Sequence, residues 1–194
     1  MKEVILLSGV QGCGKTALAN RLETQHSLVV ADMGTMMFER LASEYELSHR
    51  DQLRGLPASI MAMAFRLALS EFMDLDTLSP KVLVTHLFPR RLAEMYFPQD
   101  YFYAGRHHVA GIALLISDPL SVLNRRARDV TRARAGADIY LLAAEQKCYV
   151  VAAMLMATEV RVPCWVVSNP DGGLELAAHM VASLIFNQTK HIGS

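Results

Sequence analysis

The chain has 194 residues, 52% hydrophobic and 20% charged, enough to bury a core and too apolar for extensive disorder. Its 19 Lys and Arg balance 19 Asp and Glu, so no global charge argues for a nucleic-acid or membrane-surface partner. Cys13, Cys148 and Cys164 are odd in number and lack C-x-x-C spacing, which excludes a zinc or disulfide framework and predicts reduced thiols.

The opening M-K-E-V-I-L-L-S-G-V is too short in apolar residues for a secretory segment. The expectation is a cytoplasmic, soluble protein with no run of the ~20 apolar residues that a membrane span needs. Val4-Ile5-Leu6-Leu7 reads as a strand buried on both faces, and Leu18, Ala19 and Leu22 mark a helix over 16–25. Leu28 to Val30 is a second strand. Helices follow at 35–45 and 60–72. Val82 to Val84 and Ile112 to Ile116 are further strands, the latter ending in Ser117-Asp118-Pro119. A helix from Leu120 to Thr131 turns arginine-rich, and a long helix with few charges covers 139–157. Cys164 to Val167 is a fifth strand, and 174–186 a closing helix. The segment 96–108, with His107-His108, reads as surface loop. This alternation predicts one α/β domain over 1–194, a five-stranded parallel sheet with helices on both faces.

Between the first strand and first helix stands G-V-Q-G-C-G-K-T, the G-x-x-x-x-G-K-[ST] pattern of a phosphate-binding loop. Small residues are needed because successive backbone N–H groups turn onto phosphate oxygens. Lys15 neutralises the β- and γ-phosphates, and the Thr16 hydroxyl is a ligand for Mg²⁺. The candidate ATP-binding residues are Ser8, Gly9, Val10, Gln11, Gly12, Cys13, Gly14, Lys15, Thr16 and Ala17. The motif specifies a nucleoside triphosphate but leaves the acceptor open.

Three further segments resemble the archaeal-type adenylate kinases, within the P-loop nucleoside monophosphate kinases. Gly34-Thr35-Met36-Met37 followed by Arg50-Asp51-Gln52-Leu53-Arg54 is similar to the family's G-T-x-M turn and R-D-x-[ML]-R segment. The resemblance implies that Gly34, Thr35 and Arg54 hold the nucleoside monophosphate, in an acceptor-binding part over about 31–72. A fixed guanidinium suits bidentate phosphate binding. R-R-A-R-D-V-T-R-A-R, from Arg125 to Arg134, resembles the family's arginine-rich lid, here about 125–138. Five arginines in ten residues repel one another unless an anion lies nearby. The resemblance implies that Arg125 or Arg126 stacks on adenine and that Arg128, Arg132 and Arg134 face phosphates. Glu145-Gln146-Lys147 within the long helix, and N-P-D-G-G-L-E after the last strand, are also similar. They make Asn169 to Gly172 candidates for contact with the ATP base. A trimer, as in archaeal enzymes, is the implied homo-oligomer.

The sequence departs from the family where D-T-H is usual: Val84-Thr85-His86 has valine for the acid. Either Asp32 or Asp118 then holds the metal waters, or catalysis is weak or the acceptor has changed. Phe88-Pro89-Arg90 resembles the F-P-R of bacterial-type adenylate kinases, which makes Arg90 a second acceptor clamp. Ala135 replaces the lid's last aspartate, and Gln11 the usual loop proline. The leading expectation is ATP:AMP phosphotransfer with Mg²⁺, with small nucleotides and copies of the same chain as partners and no membrane or nucleic acid. The alternatives are a P-loop kinase for another small acceptor, or a regulatory NTPase that binds nucleotide with little transfer to AMP.

Overall fold

The computed structural model describes residues 4–86, 90–91, 94–95, 109–128 and 138–190. Five strands form one parallel sheet: β1 (Val4–Ser8), β2 (Val29–Asp32), β3 (Lys81–Val84), β6 (Val109–Ile116) and β7 (Cys164–Ser168). Their order across the sheet is β2-β3-β1-β6-β7. A separate antiparallel pair joins β4 (Arg90–Arg91) to β5 (Glu94–Met95). The sequence reading did not anticipate that pair, since two-residue strands are too short to show periodicity.

The helices are α1 (Lys15–His26), α2 (Met33–Leu41), α3 (Ala58–Met73), α4 (Pro119–Arg128), α5 (Ile139–Val160) and α6 (Leu174–Lys190). A 3-10 helix over Arg50–Gly55 precedes α3. It is closed by a capping box in which His49 and Gln52 satisfy each other's backbone N–H groups. The five predicted strands and their parallel arrangement are present, with shifted edges. Strand β6 starts at Val109, three residues before the expected Ile112. Helix α2 starts at Met33 because the Asp32 carboxylate accepts from Thr35 N at 3.0 Å and caps it early.

Strand β1 sits at the centre and is buried along its whole length, with Leu7 fully enclosed. Its continuous apolar run follows from having sheet on both sides and helices on both faces. Gly111 in β6 leaves room for the chain's single tryptophan: a Cβ there would lie 2.6 Å from the Trp165 ring. Strand β2, at one edge, is only half-buried.

Among the described residues, helix α5, with 22 residues, is the one helix long and apolar enough to cross a membrane by length and composition, although Glu145, Lys147 and Glu159 interrupt its apolar run. In the fold it buries Leu142, Tyr149, Ala152, Ala153, Met156 and Ala157. Its other face leaves Leu141, Val151, Met154 and Leu155 exposed.

Candidate active site

The phosphate loop leaves the C-terminal end of β1 and enters α1, the crossing that aims a helix N-terminus at an anion. Gly14 is the N-cap of α1 at φ 103°, and a Cβ there would strike Asn169 Nδ2. Glycine is therefore required twice over at this position, for backbone conformation and for space.

Lys15 is largely buried, and its Nζ donates to Gly9 O at 2.6 Å and Val10 O at 2.9 Å. Ser8, Val10 and Cys13 are enclosed, whereas Thr16 and Ala17 are exposed on the first turn of α1. The exposed Thr16 hydroxyl offers one protein oxygen. That fits Mg²⁺, which keeps most of its shell as water and phosphate oxygens. Among the described residues, no group of three or more His, Cys, Asp and Glu side chains is placed to hold a metal.

The outer side of the loop is held by side chains from distant elements. The Cys13 carbonyl accepts from Asn169 Nδ2 at 2.8 Å, Ser117 Oγ at 3.2 Å and Arg125 Nη1 at 3.2 Å. The Gln11 carbonyl accepts from Arg126 Nε at 2.7 Å, and Arg126 also pairs with Glu145 at 3.5 Å. Arg125 reaches Asn169 O at 3.3 Å and Asp171 Oδ1 at 2.7 Å. Those bonds, Arg125 first and then Ser121 Oγ, hold the exposed Asp171 carboxyl below its usual range. Gly14, Ala17, Arg125, Asn169, Asp171 and Leu174 line a cavity of about 220 Å³ beside the loop.

At the other end of the site, Asp32 closes β2. Its Oδ1 pairs with Arg50 Nη2 at 2.5 Å, and Arg50 Nη1 donates to Thr35 Oγ1 at 3.1 Å. The guanidinium lies where a Cβ on Gly34 would be. Arg50 therefore stands against both Gly34 and Thr35. The R-D-x-L-R segment carries an arginine at each end, four apart, and the first was overlooked. The side chains of Arg54 and Arg90 lie outside the described residues, as do Arg132, Arg134, Ala135 and His107-His108. Arg128 closes α4, and its side chain is exposed.

Val84 is buried at the end of β3, paired with Leu7 and with Asp32. Both substitute carboxylates already have partners. Asp32 is bound to Arg50, and Asp118 Oδ2 accepts from Ser121 N at 2.9 Å in the first turn of α4.

The model of the AAA domain family matches residues 8–140. The chain belongs to that family. The adenylate kinase of Thermoplasma volcanium is 27% identical over 183 residues, covering 93% of this chain and 98% of the relative. That of Thermococcus kodakarensis is 24% identical over 200 residues, covering 95% and 96%. Among solved structures, a shikimate kinase from Acinetobacter baumannii in complex with shikimate superposes with TM-score 0.57 at 14% identity, over 95% of this chain and 94% of that one. A gluconokinase from Sinorhizobium meliloti 1021 gives 0.53 at 13%, over 98% and 97%. These structures share the fold. The chain is a divergent P-loop phosphotransferase of the nucleoside monophosphate kinase type, similar to the archaeal adenylate kinases.

Proposed function

We propose that this enzyme transfers the γ-phosphate of ATP to AMP. The observation that carries the reading is the placement of two anion-suited turns at the same end of one sheet. The phosphate loop follows β1 and the Asp32–Thr35 turn follows β2, with only β3 between them. Two strand spacings set these ends about 10 Å apart, room for a donor and an acceptor phosphate in line. Similarity to archaeal adenylate kinases supports AMP as the acceptor.

In the proposed mechanism the loop N–H groups and Lys15 bind the β- and γ-phosphates. Lys15 exchanges its two carbonyl bonds for phosphate oxygens as ATP enters. The cavity beside Arg125 and Asn169 takes the adenine, with Arg126 at its edge. Gly34, Thr35, Arg54 and Arg90 hold AMP, whose phosphate oxygen attacks the γ-phosphorus while the bond to the β–γ bridging oxygen breaks. Arg128, Arg132 and Arg134 close over the reacting phosphates, neutralising charge and excluding water. Thr16 would hold Mg²⁺, which would supply further charge neutralisation. Val84 in place of an acid slows the reaction without abolishing it, since phosphoryl transfer rests on positioning and charge neutralisation. A cytoplasmic homo-oligomer is part of the same proposal, supported by the exposed apolar face of α5.

The test is ADP formation from ATP with and without AMP. AMP-dependent turnover is expected, and Arg54→Ala is expected to raise the AMP concentration needed for half-saturation by roughly tenfold or more. Turnover with a non-nucleotide acceptor and none with AMP would overturn the assignment. Val84 favours one second reading, a regulatory NTPase. It predicts nucleotide binding and slow hydrolysis that AMP does not stimulate.

A further inference from the structure

We infer that Gln146, on α5, is a positioning residue for the donor phosphates, acting through Ser117 on the Cys13–Gly14 peptide. The inference rests on the reading of the loop as an ATP site.

Gln146 presents both ends of its amide to one residue. Its Oε1 accepts from Ser117 N at 3.0 Å and its Nε2 donates to Ser117 O at 2.8 Å. This double bond to the backbone fixes Ser117 just beyond the end of β6, where strand pairing has stopped. Ser117 is buried, and its hydroxyl lies 3.2 Å from Cys13 O and 2.7 Å from Asn169 O. A hydroxyl has one proton but two lone pairs. Arg125 Nη1, at 3.2 Å, can donate to the hydroxyl while its proton serves one of the two carbonyls.

The consequence follows from peptide geometry. In a planar trans peptide, the carbonyl of one residue and the N–H of the next point in opposite directions. Asn169 Nδ2 and Arg125 Nη1 draw the Cys13 carbonyl toward the β6–β7 end, and the Ser117 hydroxyl holds both, donating to Asn169 O at 2.7 Å and accepting from Arg125 Nη1 at 3.2 Å. The Gly14 N–H is thereby aimed the other way, at the phosphates in the reading above. Gly14 sits at φ 103°, so its own conformation imposes little preference on this peptide. Left to itself it would sample several orientations, and ATP would have to select one. Glu145, the neighbouring residue of α5, acts in parallel by holding Arg126 against the Gln11 carbonyl. Two successive residues of one helix therefore brace two outward carbonyls of the loop, Glu145 through Arg126 and Gln146 through Ser117 and its partners Asn169 and Arg125.

The experiment measures ATP affinity by calorimetry without acceptor, in wild type, Gln146→Met, Ser117→Ala and the double variant. Gln146→Met is expected to weaken ATP binding roughly tenfold, the cost of two lost hydrogen bonds transmitted to the loop. In the Ser117→Ala background the same change is expected to have an effect within about twofold, because the onward link is already gone. A role confined to packing α5 against β6 would lower the thermal midpoint and leave affinity alone, or make the two effects multiply. Either outcome overturns the inference. Gln146→Glu keeps the size but sets a carboxylate oxygen against the Ser117 carbonyl, and is expected to weaken ATP binding at least as much as Gln146→Met. It serves if Gln146→Met does not fold. Wild type that binds no ATP would overturn this inference together with the donor-site reading. ATP binding without AMP-dependent turnover would overturn only the acceptor assignment.

Discussion

On the proposed function, the donor and acceptor halves of the site differ in how the described side chains hold them. In the phosphate loop, the carbonyls of Gly9, Val10, Gln11 and Cys13 each receive a side-chain donor, from Lys15, Arg126, Asn169, Ser117 and Arg125. Those donors come from α1, α4 and the ends of β6 and β7, so the loop is held from several elements at once. At the Asp32–Thr35 turn, among the described residues, Arg50 stands against Asp32 and Thr35, at an edge strand that is only half-buried. When Lys15 turns to the phosphates, the carbonyls of Gln11 and Cys13 keep their donors from Arg126, Asn169 and Arg125. A kinase that must exclude water gains from a fixed donor and a mobile acceptor clamp.

The largest expected effect tests the donor half. Lys15→Met removes the charge that meets the transferring phosphate, and steady-state ADP formation is expected to fall by about 10²–10³-fold in kcat. A smaller loss would mean that the lid arginines carry most of the neutralisation. Next comes Arg50→Ala, which leaves the Asp32 carboxylate without its cation. The expected outcome is a rise of about tenfold or more in the AMP half-saturation concentration. ATP affinity is expected to stay within about twofold of wild type. A parallel loss of ATP affinity would break the division into independent halves.

The smallest effect concerns Asp171, whose carboxyl is held below its ordinary range by Arg125. A depressed folded-state pKa stabilises the protein above the unfolded value, and that contribution disappears as pH falls through the folded value. The difference in urea midpoint between wild type and Asp171→Asn is therefore expected to be constant near neutrality. It is expected to shrink below the ordinary carboxylate value of 3.8. The pair is solvent-exposed, so the difference is expected to be small throughout. A difference that grew on acidification would overturn the assigned direction.

Much of this was legible in the sequence because it is local. Continuous apolar runs announced β1, β3 and β7, and the glycine spacing announced the loop between β1 and α1. The start of β6 was missed because Val109-Ala110-Gly111 includes a glycine that looks like a turn, although it is there to admit Trp165. Arg50 was passed over because it owes its place to a carboxylate 18 residues earlier in the chain. The brace around the loop was illegible for the same physical reason. Gln146 and Ser117 are 29 residues apart, Arg126 and Gln11 115, and Asn169 and Cys13 156. Periodicity records which face of an element is buried; it holds no record of which distant polar group completes a hydrogen bond.

The packing of Trp165 over Gly111 has a practical side. With one indole in the chain, tryptophan emission has a single origin, on the outermost strand of the sheet and four residues ahead of Asn169. Separation of β7 from β6 strips the ring of its neighbour and exposes it to water. The molecule thus carries a built-in optical gauge of whether the strand that delivers Asn169 to the phosphate loop is still docked.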